Sequence, residues 1–411
     1  MGRYETEVLA SKPSHGAHLP AGLTSFDCGV EPFLRPIPRQ NPVAPNGALL
    51  QSHEETGSYC NPSGKYRMKK PALNETSQRI AYEGSGRIGT LDAIRFVAAL
   101  WVSLSHGALP LRDFTSNTIV RAFFGSFDGV SAVIVFFIVS GFCIHIPYVS
   151  GRPLPIVKFM LRRYIRIVIP LVVCLTIMNY LGGSASERGH AVLWSVYAEI
   201  VYYTLYPALR KLSARFGWNL LIAVSFFISC ILVIARINEL WVWEFGWLTW
   251  LWGLPIWLSG CALAERFSRC DLVKAFGNIW LWRLGVWLYG AAAIFAVFHL
   301  PVKVGYPVSM LPFGIFAFFW LSMELQSSTP AWPILERFGS AGYSLYLIHS
   351  IVLGEIFDYV RPLNLGIAMV AIPLPAIAAS TYVFYKCVEA PSHNLARWIA
   401  NSALGLVRIS Q

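Results

Sequence analysis

The sequence contains little charge for its length. Only 13% of its 411 residues are Asp, Glu, Lys or Arg, whereas a soluble domain carries about 25%. Hydrophobic residues make up 55% of the chain, and the mean hydropathy is +0.52. This shortage of charge excludes an ordinary soluble protein and predicts an all-α protein that crosses a membrane many times.

The sequence also lacks the cysteine patterns of metal and redox sites. Its eight cysteines include no CxxC pair and no zinc-ligand spacing. Five of them fall in apolar segments, where cysteine behaves as a small buried side chain. We therefore expect no metal site and no tightly bound cofactor.

The N-terminus has no positively charged start followed by an apolar run, so a secretory signal peptide is not expected. Residues 1–88 are polar, rich in Pro, Gly, Ser and Asn, and show no hydrophobic periodicity. This composition predicts a mostly disordered N-terminal tail. Met68 precedes two lysines, which leaves open whether translation starts there or at Met1.

Apolar segments of membrane-spanning length follow the tail, and short polar loops separate them. We expect ten spans within a membrane domain of residues 89–400, before a short C-terminal tail of residues 401–411. The spans lie at about 92–109, 128–148, 165–182, 192–209, 219–236, 246–264, 279–299, 308–325, 340–358 and 365–388.

The distribution of Lys and Arg predicts the orientation of this bundle. An even number of spans puts both termini on one side, and most loop lysines and arginines fall on that side. Positive loops face the cytoplasm, so we expect cytoplasmic termini. These loops also account for the net charge of +11. No basic stripe with interleaved aromatics lies outside the spans, so nucleic acid is not an expected partner.

The first span carries an arginine and a histidine in an otherwise apolar stretch, LDAIRFVAALWVSLSH. The eleven positions from Arg95 to His106 turn a helix by three turns plus about 20° and rise about 16 Å. The two side chains therefore share one face. Ionisable groups are costly in hydrocarbon, so each is a functional candidate.

A carboxylate is expected near the histidine. Glu199, in LWSVYAEIVYYTLYP, lies a few residues below the outer end of the fourth span. This places it at about the depth of His106, where a carboxylate would orient the imidazole and stabilise its charged form. A buried polar pair that only fixes helix packing is the alternative.

Three arginines in RRYIRI begin the third span at its cytoplasmic end. Arg163 and Arg166 are three residues apart and point the same way, with Arg162 beside them. A pair of guanidinium groups binds phosphate well. Membrane anchoring or contact with lipid headgroups explains the same residues equally well.

Two further segments carry polar or small residues inside the membrane. Ser140 and Gly141, in VFFIVSGFCI, are suited to close helix packing. The ninth span, in FGSAGYSLYLIHS, carries Tyr343, Tyr346 and His349 at intervals of three. Tyrosines at a membrane interface are the alternative reading of that pattern.

Together, these segments resemble membrane-bound acyltransferase family 3. The segments RIGTLDAIRFVAALWVSLSH, VFFIVSGF, RRYIRI, LWSVYAEIVYYTLYP, GSAGYSLYLIHS and VEAP occur in the family's order over about residues 88–400. The branch that O-acetylates polysaccharides and Nod factors is the most similar.

The resemblance implies a multi-pass enzyme of the bacterial cytoplasmic (inner) membrane. Such an enzyme takes an acyl group, usually acetyl, from cytoplasmic acyl-CoA and passes it to a hydroxyl of a cell-surface or exported glycan. Acyl-CoA is then a co-substrate, and the partners are membrane lipid and a glycan or lipid-linked saccharide acceptor.

The resemblance also assigns roles to residues. The family's arginine–histidine motif falls on Arg95 and His106 and its WSxxxE glutamate on Glu199, which makes these three the catalytic candidates. The RxxR motif falls on Arg163 and Arg166, so these arginines, with Arg162, are expected to hold the phosphates of acyl-CoA. The candidates for binding the acceptor are Trp194, Ser195, Tyr343, Tyr346 and His349.

The sequence departs from the family at one position. Many members carry an aspartate just before the FF of the second span, where this chain has Ile134, and the nearest acid is Asp128. The resemblance therefore assigns no role to that position in this chain. Glu389 of VEAP is expected near the cytoplasmic face, paired with an arginine.

Two other classes of function remain open. A secondary transporter or glycan flippase would also need many helices and buried charges, although we find no internal repeat of the kind that many transporters show. A non-catalytic membrane subunit of a polysaccharide export complex would not require Arg95 with His106.

Overall fold

The computed structural model describes residues 89–114, 117–149, 151–182, 192–274, 276–327, 333–360 and 372–409. These residues are mostly helical and include no strand. The expected tail, residues 1–88, lies outside them.

The described residues form thirteen α-helices. In chain order they are α1 (Gly89–Phe114), α2 (Thr118–Phe124), α3 (Gly129–His145), α4 (Ile156–Leu181), α5 (Trp194–Phe216), α6 (Trp218–Ala235), α7 (Thr249–Ser268), α8 (Ile279–His299), α9 (Tyr306–Glu324), α10 (Pro333–Phe338), α11 (Gly342–Val360), α12 (Pro373–Phe384) and α13 (Ala390–Ile409). A π-helical turn, Tyr385–Glu389, joins the last two.

Six helical segments within the described ranges are long and apolar enough to cross a membrane. They are Thr118–Tyr148, Ile156–Leu181, Trp218–Ala235, Val242–Ser268, Ile279–His299 and Tyr306–Glu324. The prediction of an all-α, multi-pass membrane protein is therefore confirmed. The number of ten spans and the cytoplasmic position of both termini stay predictions.

Three of the other expected spans lie on α1, α5 and α11. These helices carry Arg95, Glu199 and His349, polar residues of the candidate site, within otherwise apolar stretches. The expected tenth span, 365–388, falls partly outside the described residues. Helix α13 continues to Ile409, so most of the expected C-terminal tail is helical.

Helix α3 is the most enclosed of the membrane helices and packs closely against α7. A Cβ atom on Gly141 would come 2.0 Å from the backbone oxygen of Trp257, and one on Gly260 would come 2.0 Å from that of Ile138. Only glycine allows two backbones to approach so closely. The prediction that Ser140–Gly141 marks a close helix contact is confirmed.

The start of α3 holds Asp128, the acid nearest to the family's aspartate position. The Asp128 carboxylate accepts hydrogen bonds from the backbone N–H groups of Val130 and Ser131, at 3.0 and 2.9 Å. Asp128 is thus a buried helix cap. Ile134, at the family's aspartate position, is fully buried among apolar residues.

Helix α1 packs against both α3 and α11, which sets the position of Arg95. A Cβ atom on Gly339, just before α11, would lie 2.5 Å from the backbone oxygen of Asp92. The ring of Phe96 stacks on Phe338, with centroids 5.3 Å apart. These contacts fix the position of the first turns of α1.

Candidate active site

A cavity of about 90 Å³ brings together charged residues from four parts of the chain. We call it the arginine cavity. Arg95 of α1, Arg163 and Arg166 of α4, Glu199 of α5 and Glu389 of the π-helical turn all line it. Three positive and two negative side chains leave a net positive charge, which favours an anion in so enclosed a place.

Two hydroxyl groups hold the carboxylate of Glu199. Ser140 Oγ donates to Oε1 at 2.7 Å, and the Tyr203 hydroxyl donates to the same oxygen. The indole nitrogen of Trp257 donates in turn to Ser140 Oγ at 3.2 Å. Because α3 carries Ser140 and α7 carries Trp257, the close contact of those helices positions the acid.

The predicted set of three arginines divides into two parts. Arg163 and Arg166 line the arginine cavity together, as their spacing predicts. The Arg163 guanidinium lies 5.7 Å from the centroid of the Tyr203 ring. Arg162 points elsewhere, since its Nη2 donates to Oδ1 of Asn401 on α13 at 3.1 Å.

Three of the predicted acceptor-binding residues also line the arginine cavity, and their hydroxyls already have protein partners. Ser195 Oγ and the Tyr346 hydroxyl are 2.6 Å apart. The Tyr346 hydroxyl also lies 2.8 Å from the backbone oxygen of Val192, and the Tyr343 hydroxyl donates to that of Ile167 at 3.1 Å. These bonds fix α11 against α4 and the start of α5.

The fourth predicted acceptor-binding residue, Trp194, is not part of the lining of the arginine cavity. Its ring packs edge-on against Phe137, with centroids 6.0 Å apart, and against Trp252 at 6.5 Å. Trp194 therefore contributes to an aromatic layer between α3, α5 and α7.

His106 and His349 form a pair about three helical turns along α1 from Arg95, which lines the arginine cavity. Nε2 of His349, on α11, lies 3.3 Å from Nδ1 of His106. The same Nδ1 lies 2.9 Å from the backbone oxygen of Val102. His349 is fully buried, whereas His106 is partly exposed.

The neighbours of these rings determine their tautomers. A backbone oxygen only accepts hydrogen bonds, so Nδ1 of His106 carries the hydrogen, and Nε2 of the neutral ring keeps its lone pair. Nδ1 of His349 faces the backbone oxygen of Leu345 at 3.1 Å. Nε2 of His349 is therefore an acceptor for the hydrogen of His106, and within the described part of the chain Nε2 of His106 is left available as a base.

This arrangement corrects the predicted partner of His106. The sequence predicts that Glu199 is the partner of His106. In the structure Glu199 lines the same cavity as Arg95, which precedes His106 by eleven residues on α1. Its carboxylate accepts hydrogen bonds from Ser140 and Tyr203. The expectation rested on counting residues from predicted helix ends. Helix α1 runs to Phe114, five residues past its expected end, so that count misjudged depth.

Glu389 is more central than the sequence suggested. Its Oε2 accepts from the backbone N–H of Ser344 at 3.0 Å and from the Ser344 hydroxyl at 2.5 Å. The carboxylate is fully buried, and it ends a π-helical turn, a distortion frequent at functional sites. The VEAP segment was the only sign of it in the sequence.

Beside Glu389, on α13, His393 places Nε2 3.6 Å from Oε1 of the acid. Burial, and then the charge of Arg166, lower the pKa of His393 to about 3. The ring is therefore neutral at physiological pH. Among the residues that the structure describes, no group of three or more His, Cys, Asp or Glu could hold a metal ion.

The family follows from comparison with known proteins. A family model described as an acyltransferase domain, Acyl_transf_3, matches residues 88–386. The chain belongs to this family. It is a multi-pass membrane acyltransferase, and the matched region contains the arginine cavity except for Glu389, together with the histidine pair. No curated protein and no solved structure gave a match.

Proposed function

We propose that this chain is an O-acyltransferase that moves an acyl group, with acetyl expected, from cytoplasmic acyl-CoA to a hydroxyl of a glycan or lipid-linked saccharide. It would work in a bacterial inner membrane on glycans that are exported or reach the cell surface. The observation that carries the proposal is the state of His106, whose Nδ1 is hydrogen-bonded while Nε2 keeps its lone pair.

In the proposed reaction, Nε2 of His106 accepts the proton of the acceptor hydroxyl as its oxygen attacks the thioester carbonyl carbon. The carbon–sulfur bond breaks, and the departing thiolate takes that proton from Nε2. The products are the acylated glycan and free CoA. His349 accepts a hydrogen bond from Nδ1–H throughout, which stabilises the imidazolium formed in between.

The residues of the arginine cavity serve the donor in this proposal. The positive charge of Arg163 and Arg166 attracts the anionic donor towards the site, and Arg95 supports negative charge along the path to His106. Glu199 and Glu389 offset part of the positive charge. Arg162, directed at Asn401, is left out of this role.

The decisive experiment uses the full chain in proteoliposomes with [¹⁴C]acetyl-CoA and extracted cell-surface polysaccharides. We expect label to appear as alkali-labile O-acetyl groups and to disappear in His106→Ala, which should still insert in the membrane. NMR of polysaccharide from cells with and without the chain identifies the hydroxyl that is acylated. Normal acetylation by His106→Ala would refute the proposed base.

The same preparation tests the rival function. A transporter or flippase would move the saccharide across the bilayer without consuming acetyl-CoA. Saccharide movement with no release of CoA, in a preparation where His106→Ala makes no difference, would replace the present proposal.

A further inference from the structure

The arginine cavity is too small for the nucleotide half of acyl-CoA. Its volume is about 90 Å³. Pockets that enclose molecules of nucleotide size measure about 300–1,000 Å³. If acyl-CoA is the donor, its adenine and phosphates must lie somewhere else.

A second cavity has the required size. It measures about 860 Å³ and lies where the C-terminal ends of α5 and α7 meet the start of α6. We call it the basic cavity, because Arg210 and Lys211 of α5, Arg266 of α7 and Arg269, the residue after α7, line it. Two acids, Glu265 and Asp271, are also in the lining, so the positive charges are in excess.

Part of that positive charge is uncommitted. Glu265 is engaged by Arg269 at 2.9 Å and by Nε2 of His145 at 2.9 Å. Within the described ranges, the side chains of Lys211 and Arg266 form no hydrogen bond or ion pair. Two cations that face a large cavity without partners are suited to phosphate oxygens.

The lining also offers a surface for a base. Trp218 begins α6 at the edge of the basic cavity, and its ring packs edge-on against His145 with centroids 4.8 Å apart. Phe216 lies beside it with half of its surface exposed. Aromatic rings next to phosphate-binding cations are the usual components of nucleotide recognition.

An aromatic wall of Phe159 and Tyr206 lies between a residue that lines the basic cavity and one that lines the arginine cavity. Tyr148 lines the basic cavity, and its ring packs on Phe159 at 6.1 Å. Phe159 packs on Tyr206 at 5.2 Å. The guanidinium of Arg163, in the arginine cavity, lies 6.0 Å from the centroid of the Phe159 ring. Phe159 therefore contacts a lining residue of each cavity.

Helix α5 connects the two cavities along its length. Arg210 follows Glu199 by eleven residues, which is three turns plus about 20° and about 16 Å along the axis. The two side chains therefore lie on one face of α5, one in each cavity. This is the relation required for a long ligand that is charged at one end and reactive at the other.

We propose that the basic cavity binds the phosphate-bearing nucleotide of the acyl donor, while the pantetheine arm passes the Phe159–Tyr206 wall into the arginine cavity. The inference rests on the proposed function, because it takes acyl-CoA as the donor. An anionic lipid headgroup presents the same phosphate chemistry, and the experiment separates the two sources.

The test uses the full chain in nanodiscs of phosphatidylcholine, with adenosine 3′,5′-bisphosphate and CoA as probes in titration calorimetry. We expect both probes to bind the wild-type chain. Lys211→Ala with Arg266→Ala should weaken each by about 100-fold, because two cations that face the phosphates are removed. The control pair, Lys158→Ala with Arg397→Ala, removes equal charge outside both cavities and should bind like the wild type.

Turnover separates this inference from the proposed function. The Lys211/Arg266 variant should show a raised KM for acetyl-CoA and an unchanged kcat. If probe binding and KM are unchanged in that variant, the nucleotide does not bind in the basic cavity, and the acyltransferase proposal remains intact. If the chain binds phosphatidylglycerol but neither probe, the basic cavity is assigned to a lipid headgroup. A wild-type chain that binds neither probe and transfers no acetyl group would contradict both proposals.

Discussion

Nε2 of His349 lies 3.3 Å from Nδ1 of His106, although 243 positions separate the two residues. In the proposed reaction His349 acts through this contact with His106, and its predicted role in binding the acceptor stays a prediction. The backbone oxygen of Val102 places the hydrogen on Nδ1 of His106, and Nε2 of His349 is a second acceptor for the same N–H, which leaves Nε2 of His106 as the proposed base.

Replacing His349 tests that role. His349→Ala should lower kcat by about tenfold to hundredfold, because a hydrogen bond to a group that becomes charged contributes about 1.5–3 kcal/mol. KM for acetyl-CoA should not change. His349→Gln should recover part of the loss, because the amide oxygen accepts from Nδ1–H. Steady-state kinetics on reconstituted protein measure all three, and equal losses in the two variants would indicate a packing role only.

The division of the three arginines gives a second prediction. Arg163→Ala with Arg166→Ala should reduce kcat/KM for acetyl-CoA by more than about tenfold, since both guanidinium groups line the arginine cavity. Arg162→Ala should change it by less than about twofold, because Arg162 contacts Asn401 at an exposed position. Initial rates at varied acetyl-CoA provide the comparison. A larger effect from Arg162→Ala would indicate that Arg162 helps to bind the donor, as the sequence predicts.

Local sequence patterns predicted the parts of the site that lie on single helices. The interval from Arg163 to Arg166 correctly indicated a shared direction, and Ser140–Gly141 correctly indicated a close crossing. The partners of His106 and Glu199 depend on which helices touch and at what height. The length and tilt of each helix and the π-helical turn before α13 determine the depth of each residue in the bundle. Sequence periodicity shows only which face of a helix a residue lies on, so it does not predict that depth. Family resemblance supplied the order of the motifs but not their contacts.

A third prediction concerns the ion pair between α8 and α9. Arg283 Nε and Nη2 donate to the two oxygens of Glu324 at 2.7 and 2.9 Å, and Trp320 Nε1 donates to Oε1 at 2.9 Å. Arg283→Ala would strand a buried carboxylate, so we expect a loss of about 3 kcal/mol in the free energy of unfolding. Denaturation in mixed micelles, followed by tryptophan fluorescence, measures it.

Two further variants make that stability test specific. Arg236→Ala removes an exposed ion pair to Glu239 and should cost less than about 1 kcal/mol. Arg283→Met combined with Glu324→Gln should be more stable than Arg283→Ala alone, because no charge is then left buried. A double variant as unstable as the single one would show that packing of the arginine, and not the uncompensated acid, accounts for the loss.

The crossing of α3 and α7 links packing to chemistry and gives the last prediction. Gly141→Ala and Gly260→Ala each put a methyl group where a backbone oxygen lies 2.0 Å away, so the helices must separate. Each should lower the free energy of unfolding by about 3 kcal/mol. Gly107→Ala, whose new methyl group would meet Leu353 at 3.7 Å, should be neutral or slightly stabilising.

Separation of these helices should also reduce turnover. Trp257 on α7 donates to Ser140 on α3, which donates to Glu199, so a shift at the crossing displaces the carboxylate. At a temperature where Gly141→Ala remains folded, we therefore expect a lower kcat/KM for acetyl-CoA. Ser140→Ala, which keeps the crossing but removes the hydroxyl, should reproduce part of that fall without the loss of stability. If Ser140→Ala is fully active, the crossing affects the enzyme through its fold alone, because the hydrogen-bond path to Glu199 would then carry no functional consequence.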